Sequence, residues 1–571
     1  MHFPILSALP FLLLGPLTLT AQNKVRIQVL DYSTDPIRPE QDIRVGLLTG
    51  ETILEHSNSA GIFELPVGGV QPGDRLELVV TKPGYRLLEP DPYRFIGSVP
   101  NRPDGVLHLA ILPTVHFDSL RALYKKAIQK RLITAKVDLR QANSELAASL
   151  GKQLDVVENN MEQLAELFAL TDREPLSDSG RKALALFREK DELTATKALF
   201  TEEVPTSPAF AWTSRLKALL LVVDLQIAEA NTQIIQALRT GGFQSHDLKN
   251  LIAFFVDQGQ PDQFLGELPE DVLSVNGTVP YPALWYNSLG LCYKIRRQQA
   301  MADQAFNEAF ASLRLMKDLG PDKSPVERVE ILTNFANSNN KAGNAKQALL
   351  ALSEAEALIR PLALKFPLAF ENALVSVLGG LGTTQAALNR VDIATGAFRE
   401  ALALCNTGML SGRDDFLIDW FYLFSDIFKF RDSLLQQKDY PALVNLEHIM
   451  AESLDSVRFK GEVIVIGAVA EYGRLSWYAL FSGDYDLAAS AARRCLEFDP
   501  EQIWVYTNLG HAQLLSGRLD DAKTAWSHLK GKEERGKSYK TILEEDFLAL
   551  EAAGIRLPNI KKVRKWLEGW D

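Results

Sequence analysis

The sequence predicts a mainly α chain, a superhelix of stacked helix pairs preceded by a small all-β sandwich. Three observations predict it. Apolar residues recur with a period of two before Pro113 and of about 3.6 after it, the signatures of strand and helix. A helix-turn-helix unit occurs twice in succession within 472–529. Gly483, Asp484, Tyr485 and Ala488 are matched by Gly517, Arg518, Leu519 and Ala522, with both Gly and both Ala 34 residues apart (517 − 483 and 522 − 488). Such a period marks a solenoid, in which each repeat buries its apolar face only against its neighbours. Finally, 571 residues with 46% apolar and 23% charged side chains are long enough for an extended, quasi-linear core.

The formal net charge is −11 and the pI about 5.4, so no global basic field favours nucleic acid or an anionic membrane. Cys292, Cys405 and Cys495 lie far apart, which is neither a disulfide framework nor a metal spacing, and they read as core residues. The most apolar internal run, 219–223, is bounded by Lys217 and Asp224 and is far too short to span a bilayer.

Residues 3–19 carry no charge, and Lys24 is the first. Leu12-Leu13-Leu14 forms an apolar centre, and Leu19-Thr20-Ala21 precedes Gln22 as a cleavage site would. Residues 1–21 thus resemble a secretory signal peptide cleaved near Ala21, which places the chain in the periplasm or outside the cell. Pro4, Pro10 and Pro16 argue against a spanning helix.

Residues 22–113 read as all-β. The stretch 25–30 alternates apolar and polar, and 42–48, 61–65, 75–81 and 106–112 read as further strands. Turn signals separate them: Asp35-Pro36, Leu48-Thr49-Gly50, Pro72-Gly73-Asp74 and Lys82-Pro83-Gly84. Short strands at this spacing suggest a sandwich. The run Asn58-Ser59-Ala60-Gly61-Ile62-Phe63-Glu64-Leu65, with Val79-Val80-Thr81-Lys82-Pro83-Gly84-Tyr85 after it, resembles the carboxypeptidase regulatory-like domain. That resemblance implies a non-catalytic module with Phe63 in its core and Gly61 and Gly84 at turns.

Residues 114–265 form a long-helix region. Apolar residues recur at Leu132, Ala135, Leu139, Ala142, Leu146, Leu150, Leu154, Val157, Met161, Leu164 and Phe168, in steps of three and four. This predicts either one very long helix or an antiparallel hairpin opened at Gly151. A break at 171–180 precedes helices over 182–202 and 208–239, the second stopped by Gly241-Gly242. Residues 266–282 read as a linker.

The repeat array is expected over 283–540. Tyr286-x2-Leu289-Gly290-x2-Tyr293 is followed by Ala302-x3-Phe306-x2-Ala309. Ala348-x3-Leu352 and Ala394-x3-Phe398 follow at spacings of 46 (348 − 302 and 394 − 348), and a further pair around 420–454 carries Asp439-Tyr440 in its turn. The small Ala lets the second helix of each pair approach the first, and the Gly permits the turn between them. These motifs resemble the tetratricopeptide repeat, in at least five units with all but the last lengthened. The resemblance implies a superhelix whose first helices line a concave face that binds a peptide or helix of a partner protein. Residues 541–571 are expected to cap the array, with Lys561, Lys562, Arg564 and Lys565 complementing a helix dipole. The pairing of the two modules resembles secreted or periplasmic proteins of the Bacteroidetes type.

The motifs of catalysis and of metal or phosphate binding are missing from the sequence. Eight histidines are scattered without an H-E-x-x-H pair or a zinc-ligand spacing. Glu447-His448-x3-Glu452 reads as an exposed polar face. Gly379-Gly380-Leu381-Gly382-Thr383-Thr384 has neither the Lys nor the preceding strand of a phosphate loop, and Gly382 reads as a close-packing residue. No nucleophile elbow is present. A non-enzyme without metal or cofactor is expected.

Aligning Leu289, Phe335, Leu381, Leu475 and Leu509 as equivalent core positions turns a defined set of side chains toward the concave face that the resemblance implies. These are Asn287, Lys294, Thr333, Asn337, Asn340, Thr383, Trp477, Phe481, Trp504 and His511. Asn is a poor helix former, yet four occur in 334–340, and an amide can clamp a peptide backbone with donor and acceptor together. The expected function is a non-enzymatic protein-interaction scaffold of the cell envelope. The alternative is a glycan- or surface-binding protein acting through the β-module, where Tyr85, Tyr93 and Phe95 cluster.

Overall fold

The computed structural model describes residues 22–570 except 35–37, 49–51, 71–73, 89–91, 101–104, 142–143, 173–175, 177, 191–207, 241–247, 259–280, 316–324 and 414–415. The expected signal peptide, the glycine stop at 241–242 and nearly all of the 266–282 linker lie outside the described residues. The chain divides into two compact units, residues 1–302 with 316–323, and residues 303–315 with 324–571.

The first unit opens with nine strands among the described residues: β1 (Gln22–Asp31), β2 (Arg38–Pro39), β3 (Asp42–Leu47), β4 (Ile53–His56), β5 (Ile62–Val70), β6 (Arg75–Thr81), β7 (Tyr85–Leu87), β8 (Arg94–Ser98) and β9 (Val106–Pro113). They form two sheets, one ordered β2-β1-β9-β7 with β5 also on β1, the other β4-β3-β6-β8. The β1–β9 pair is parallel, with Arg26 opposite Val106. Alternate residues Val25, Ile27 and Val29 share one core with Phe63, Leu65, Leu78, Val80 and Ile111, so the period-two pattern faces inward. Gly61 has φ +72°, and a Cβ there would stand 2.6 Å from the Pro39 side chain, so that turn requires glycine. Tyr85 and Phe95 are half-buried against the same core.

The long apolar stripe after Pro113 forms three helices, α1 (Thr114–Gln141), α2 (Ser144–Asn159) and α3 (Met161–Thr171). Both expectations for this stripe are corrected. Gly151 lies inside α2 with open space around it, and the chain turns instead at Asn160, whose buried amide donates to the Val156 carbonyl. After α4 (Asp178–Lys190), α3 and α4 pack on α1 through Tyr124, Phe168 and Phe187, with centroids 5.4 and 5.0 Å apart along the series. Helices α5 (Pro208–Val223), α6 (Ile227–Thr240), α7 (Leu248–Gln258) and α8 (Tyr281–Ile295) complete the order before α9 (Gln299–Leu315).

The second unit continues with α10 (Pro325–Lys341), α11 (Ala345–Lys365), α12 (Pro367–Ala387), α13 (Val391–Leu410), α14 (Phe416–Gln437), α15 (Tyr440–Ser456), α16 (Glu462–Ser482), α17 (Tyr485–Phe498), α18 (Val505–Leu515) and α19 (Leu519–Ser527). Each helix from α10 to α19 packs on the next, and α10 on α12, α12 on α14 and α16 on α18 also touch, the pattern of a tetratricopeptide-like stack. One turn recurs between the paired helices. Arg297, Gly343, Asn389, Lys438, Gly483 and Gly517 all take φ between 58° and 84°, and the next residue donates its N–H to the carbonyl five residues back, a Schellman closure. The intervals are 46 (343 − 297), 46 (389 − 343), 49 (438 − 389), 45 (483 − 438) and 34 (517 − 483). Five residues after each left-handed position stands Ala302, Ala348, Ala394, Leu443, Ala488 or Ala522, all 0% exposed. Leu225, at φ 60° between α5 and α6, makes the same closure within the long-helix region.

Glycines in the first helices meet large side chains of the neighbours, so the close approach read from Leu381-Gly382 is present. A Cβ on Gly382 would lie 2.7 Å from Phe398, and one on Gly510 would lie 2.1 Å from the Trp526 indole. A two-residue hairpin, β10 (Glu533–Glu534) with β11 (Lys537–Ser538), leads into α20 (Tyr539–Ala552) and α21 (Ile560–Leu567). Tyr539, Leu543, Phe547, Val563 and Leu567 close over Trp526 as one cluster.

Candidate functional site

The expected groove residues fall into different environments. Asn287 on α8 is buried and Lys294 is exposed. In the second unit, Thr333 is buried and donates to the Val329 carbonyl, while Thr383 donates to that of Gly379. The Asn340 amide donates to Thr384 Oγ1 at 2.8 Å, and that hydroxyl lies 3.1 Å from Asn340 Oδ1. The Asn339 amide donates to the Phe335 carbonyl and accepts from Asn344. The asparagine run therefore joins α10 to α12 and closes its own helix end, which offsets its poor helix propensity. Asn337 is half-buried, 3.4 Å from where a Cβ on Gly380 would stand.

Trp477, Trp504 and His511 are brought together. Trp477 and Trp504 line a cleft of about 280 Å³ with Gly473, Arg474, Thr507, Asn508, Glu534, Tyr539, Ile542 and Asp546. Four pieces of sequence build it. Gly473 on α16 carries no side chain, and a Cβ there would stand 2.2 Å from Trp504, so the indole lies directly on the helix. Trp504 is fixed at the start of α18 by its Nε1–H, which donates to Gln502 Oε1 at 2.8 Å. Asn508, buried behind it, donates to the Gly473 carbonyl at 3.2 Å and to Ser476 Oγ at 2.7 Å. The hairpin turns on Arg535 (φ 51°) and Gly536 (φ 77°), the type I′ pattern, which delivers Glu534 to the rim.

His511 is fully buried, with edge-on contacts to Trp526 and Phe547. Its Nε2 lies 3.0 Å from Asp546 Oδ2, so it orients a carboxylate of the cleft rather than facing the cleft itself. Tyr539 donates its hydroxyl to Glu534 Oε2 at 2.9 Å, and burial followed by that carboxylate raises its pKa. Phe481 is half-buried, edge-on to Trp477 and stacked on Tyr440.

Arg474 connects the cleft to a buried charged cluster. It donates through Nε to Glu471 at 2.8 Å and through Nη2 to the other oxygen of the same carboxylate. Glu471 is 2% exposed and its neighbour Glu447 0%, with Arg431 beside both. The expected exposed polar face at Glu447-His448-x3-Glu452 is therefore corrected. His448 and Glu452 pair at the surface at 3.2 Å, whereas Glu447 points into the core. Glu447, Glu471, Arg474, Glu534, Tyr539 and Asp546 were not among the expected site residues. Apart from Glu447, read only as part of an exposed face, none of them stands in a motif.

A second, more open cleft of about 500 Å³ is lined by Glu452, Asp455, Ser456, Arg458, Phe459 and Tyr472. Its central carboxylate is occupied from within, because Asp455 accepts from Arg494, Arg458 and Tyr472. The three cysteines are buried, and burial pushes the Cys495 thiol up to about 12. Among the described residues no group of three or more His, Cys, Asp or Glu is placed to hold a metal ion, and no helix is long and apolar enough to cross a membrane.

No family model and no curated protein matches the sequence. Solved structures to which the chain is similar include the TPR domain of P58(IPK), at 14% identity over 66% of this chain and 98% of that chain, with a TM-score of 0.18. The APC/C hetero-tetramer Cut9–Hcn1 matches at 13% identity over 76% and 99%, with a TM-score of 0.26. Naa15/Naa10 bound to HypK-THB matches at 13% over 75% and 73%, with a TM-score of 0.17. Scores this low carry no argument, and the helical-repeat fold rests on the turns and packing described above.

Proposed function

We propose that the chain is a non-enzymatic scaffold of the cell envelope that grips a peptide or helix of a partner protein in the cleft of its last repeats. One observation carries this reading: Trp477 and Trp504, both half-buried, border a cleft whose walls are held by side chains already satisfied within the fold. Large amphipathic rings on a rigid frame supply contact area at little entropic cost. The N-terminal sheets serve as a carboxypeptidase regulatory-like module, a reading supported by buried Phe63 and by glycines in left-handed turns at 61 and 84. Export through a signal peptide makes Gln22 the first residue of the mature protein, which N-terminal sequencing of the envelope fraction checks.

The test of the scaffold is site-specific photo-crosslinking in cells, with the probe at Ile542 in the cleft or at Leu350, exposed on α11. A partner protein labelled from 542 and not from 350 is the expected result. No labelling from 542, or the same proteins from both sites, would overturn the reading.

A further inference from the structure

We infer that the occupant of the Trp477–Trp504 cleft inserts a basic side chain, the guanidinium of arginine or the ammonium of lysine, between the indoles and the carboxylates of Glu534 and Asp546. The inference rests on the proposed peptide-binding role of this cleft.

Charge carries the argument. Arg474, Glu534 and Asp546 are the ionic residues that line the cleft. Arg474 is held in a fork by the buried Glu471 carboxylate, so its charge is compensated from behind. Lys537, opposite Glu534 in the hairpin, is drawn away to Glu545 at 2.7 Å. Asp546 engages His511 through Oδ2 and Glu534 engages Tyr539 through Oε2, so the second oxygen of each carboxylate stands outside these two bonds.

The aromatic groups fit the same ligand. A cation over the face of an indole or phenol is attracted by the ring quadrupole, most strongly where water is partly excluded. Trp477, Trp504 and Tyr539 provide such rings around a space of about 280 Å³, which suits one side chain projecting from the bound peptide or helix. An acidic side chain would meet two carboxylates. A purely apolar one would strip them of water without replacing it, at a cost that a buried charge does not tolerate.

The test is a positional-scanning library of N-acetylated hexapeptides, read by fluorescence polarisation on the full chain. Arginine or lysine at one position should be preferred over citrulline and norleucine by about tenfold, the range of a partly desolvated cation–aromatic contact. That preference should fade as salt approaches about 1 M, where screening acts within about 3 Å. Asp546→Asn and Glu534→Gln should each lose the preference while still binding peptide. Peptides that bind wild type with no basic preference would overturn the inference and leave the peptide-binding role standing. Failure of every peptide to bind would remove both. The wild-type selection decides the matter even if a variant fails to fold.

Discussion

Glu447 on α15 and Glu471 on α16 are buried beside each other, at 0% and 2% exposure, and the Arg474 guanidinium approaches both carboxyls. Neither Glu447 oxygen has a hydrogen-bond partner, so a charge there would be buried without a donor to satisfy it. Glu447 is the member of the pair whose charged form is disfavoured. Burial, then the neighbouring Glu471, holds its pKa well above the usual carboxylate range. Burial also acts on Glu471, but the neighbouring Glu447 and the Arg474 guanidinium outweigh it and lower its pKa. Arg431 lies 3.7 Å from Glu471 and 3.9 Å from Glu447, which ties α14 to the pair.

The pair makes stability depend on pH in a defined direction. Between the ordinary value of 4.5 and the raised folded value, native Glu447 keeps a proton that the unfolded chain has released. Its contribution is therefore present below that window and lost as pH rises through it, by up to about 1.4 kcal/mol per unit. Glu447→Gln, which carries its own donor, should match wild type at acidic pH and melt at a higher temperature at alkaline pH. Glu471→Gln should lose about 3 kcal/mol at neutral pH by stranding Arg474. Thermal melts across pH check both, and parallel curves for wild type and Glu447→Gln would contradict the raised pKa of Glu447.

Two helical glycines should respond oppositely to alanine. At Gly510 a Cβ would stand 2.1 Å from the Trp526 indole, so Gly510→Ala should cost about 1–3 kcal/mol through overpacking. Gly396 is exposed within α13 and faces open space, so Gly396→Ala should gain about 0.5–1 kcal/mol from helix propensity. Urea denaturation of the two variants gives the signs directly.

The recurrent turn predicts a stabilising change at Lys438. Its φ of 58° suits glycine, which the same turn carries at 343, 483 and 517. Lys438→Gly should raise stability by about 1 kcal/mol, and Gly483→Ala should lower it by a similar amount. A loss at Lys438→Gly would show that its side chain contributes more than its backbone costs.

Asn340 and Thr384 should couple to each other rather than to a ligand. A double-mutant cycle of Asn340→Ala with Thr384→Val should return about 0.5–1.5 kcal/mol of interaction in urea denaturation, the range of a neutral hydrogen bond. Single-site losses that simply add would separate the two residues energetically.

The fold was legible where one period ran uninterrupted. The 34-residue Gly and Ala match and the switch from two to 3.6 at Pro113 located the repeats and the β-domain. The 420–454 repeat was obscured because Lys438 stands where three other turns carry Gly343, Gly483 and Gly517 and Leu443 where the other units carry alanine, and neither announces a turn or a close approach. Only the left-handed φ and the Schellman bond reveal its register. The long stripe misled because a helix stripe continues in phase through a break such as Asn160, while Gly151 is tolerated inside a helix. The cleft was half legible. Trp477 and Trp504 follow from alignment of the repeats, but the walls at 534–546 come from the segment beyond the last repeat, which carries no repeat signature. Glu447 could not be placed because the buried and exposed faces of α15 both carry carboxylates.

The shortening of the final interval from 45 to 34 residues has a consequence for where the cleft can exist. Helix α16 has 21 residues and its packing partner α18 has 11, a shortfall of ten (21 − 11), or about 15 Å of helix at 1.5 Å per residue. The first turns of α16 thus project as a ledge, and Val463 and Ile466 stand bare upon it at 72% and 61% exposure. Trp504, the last residue before α18 begins, folds down against Gly473 at the foot of that ledge. An α18 built to the length of α16 would carry helix backbone where the indole now lies, and the chain would have a seam there instead of an opening.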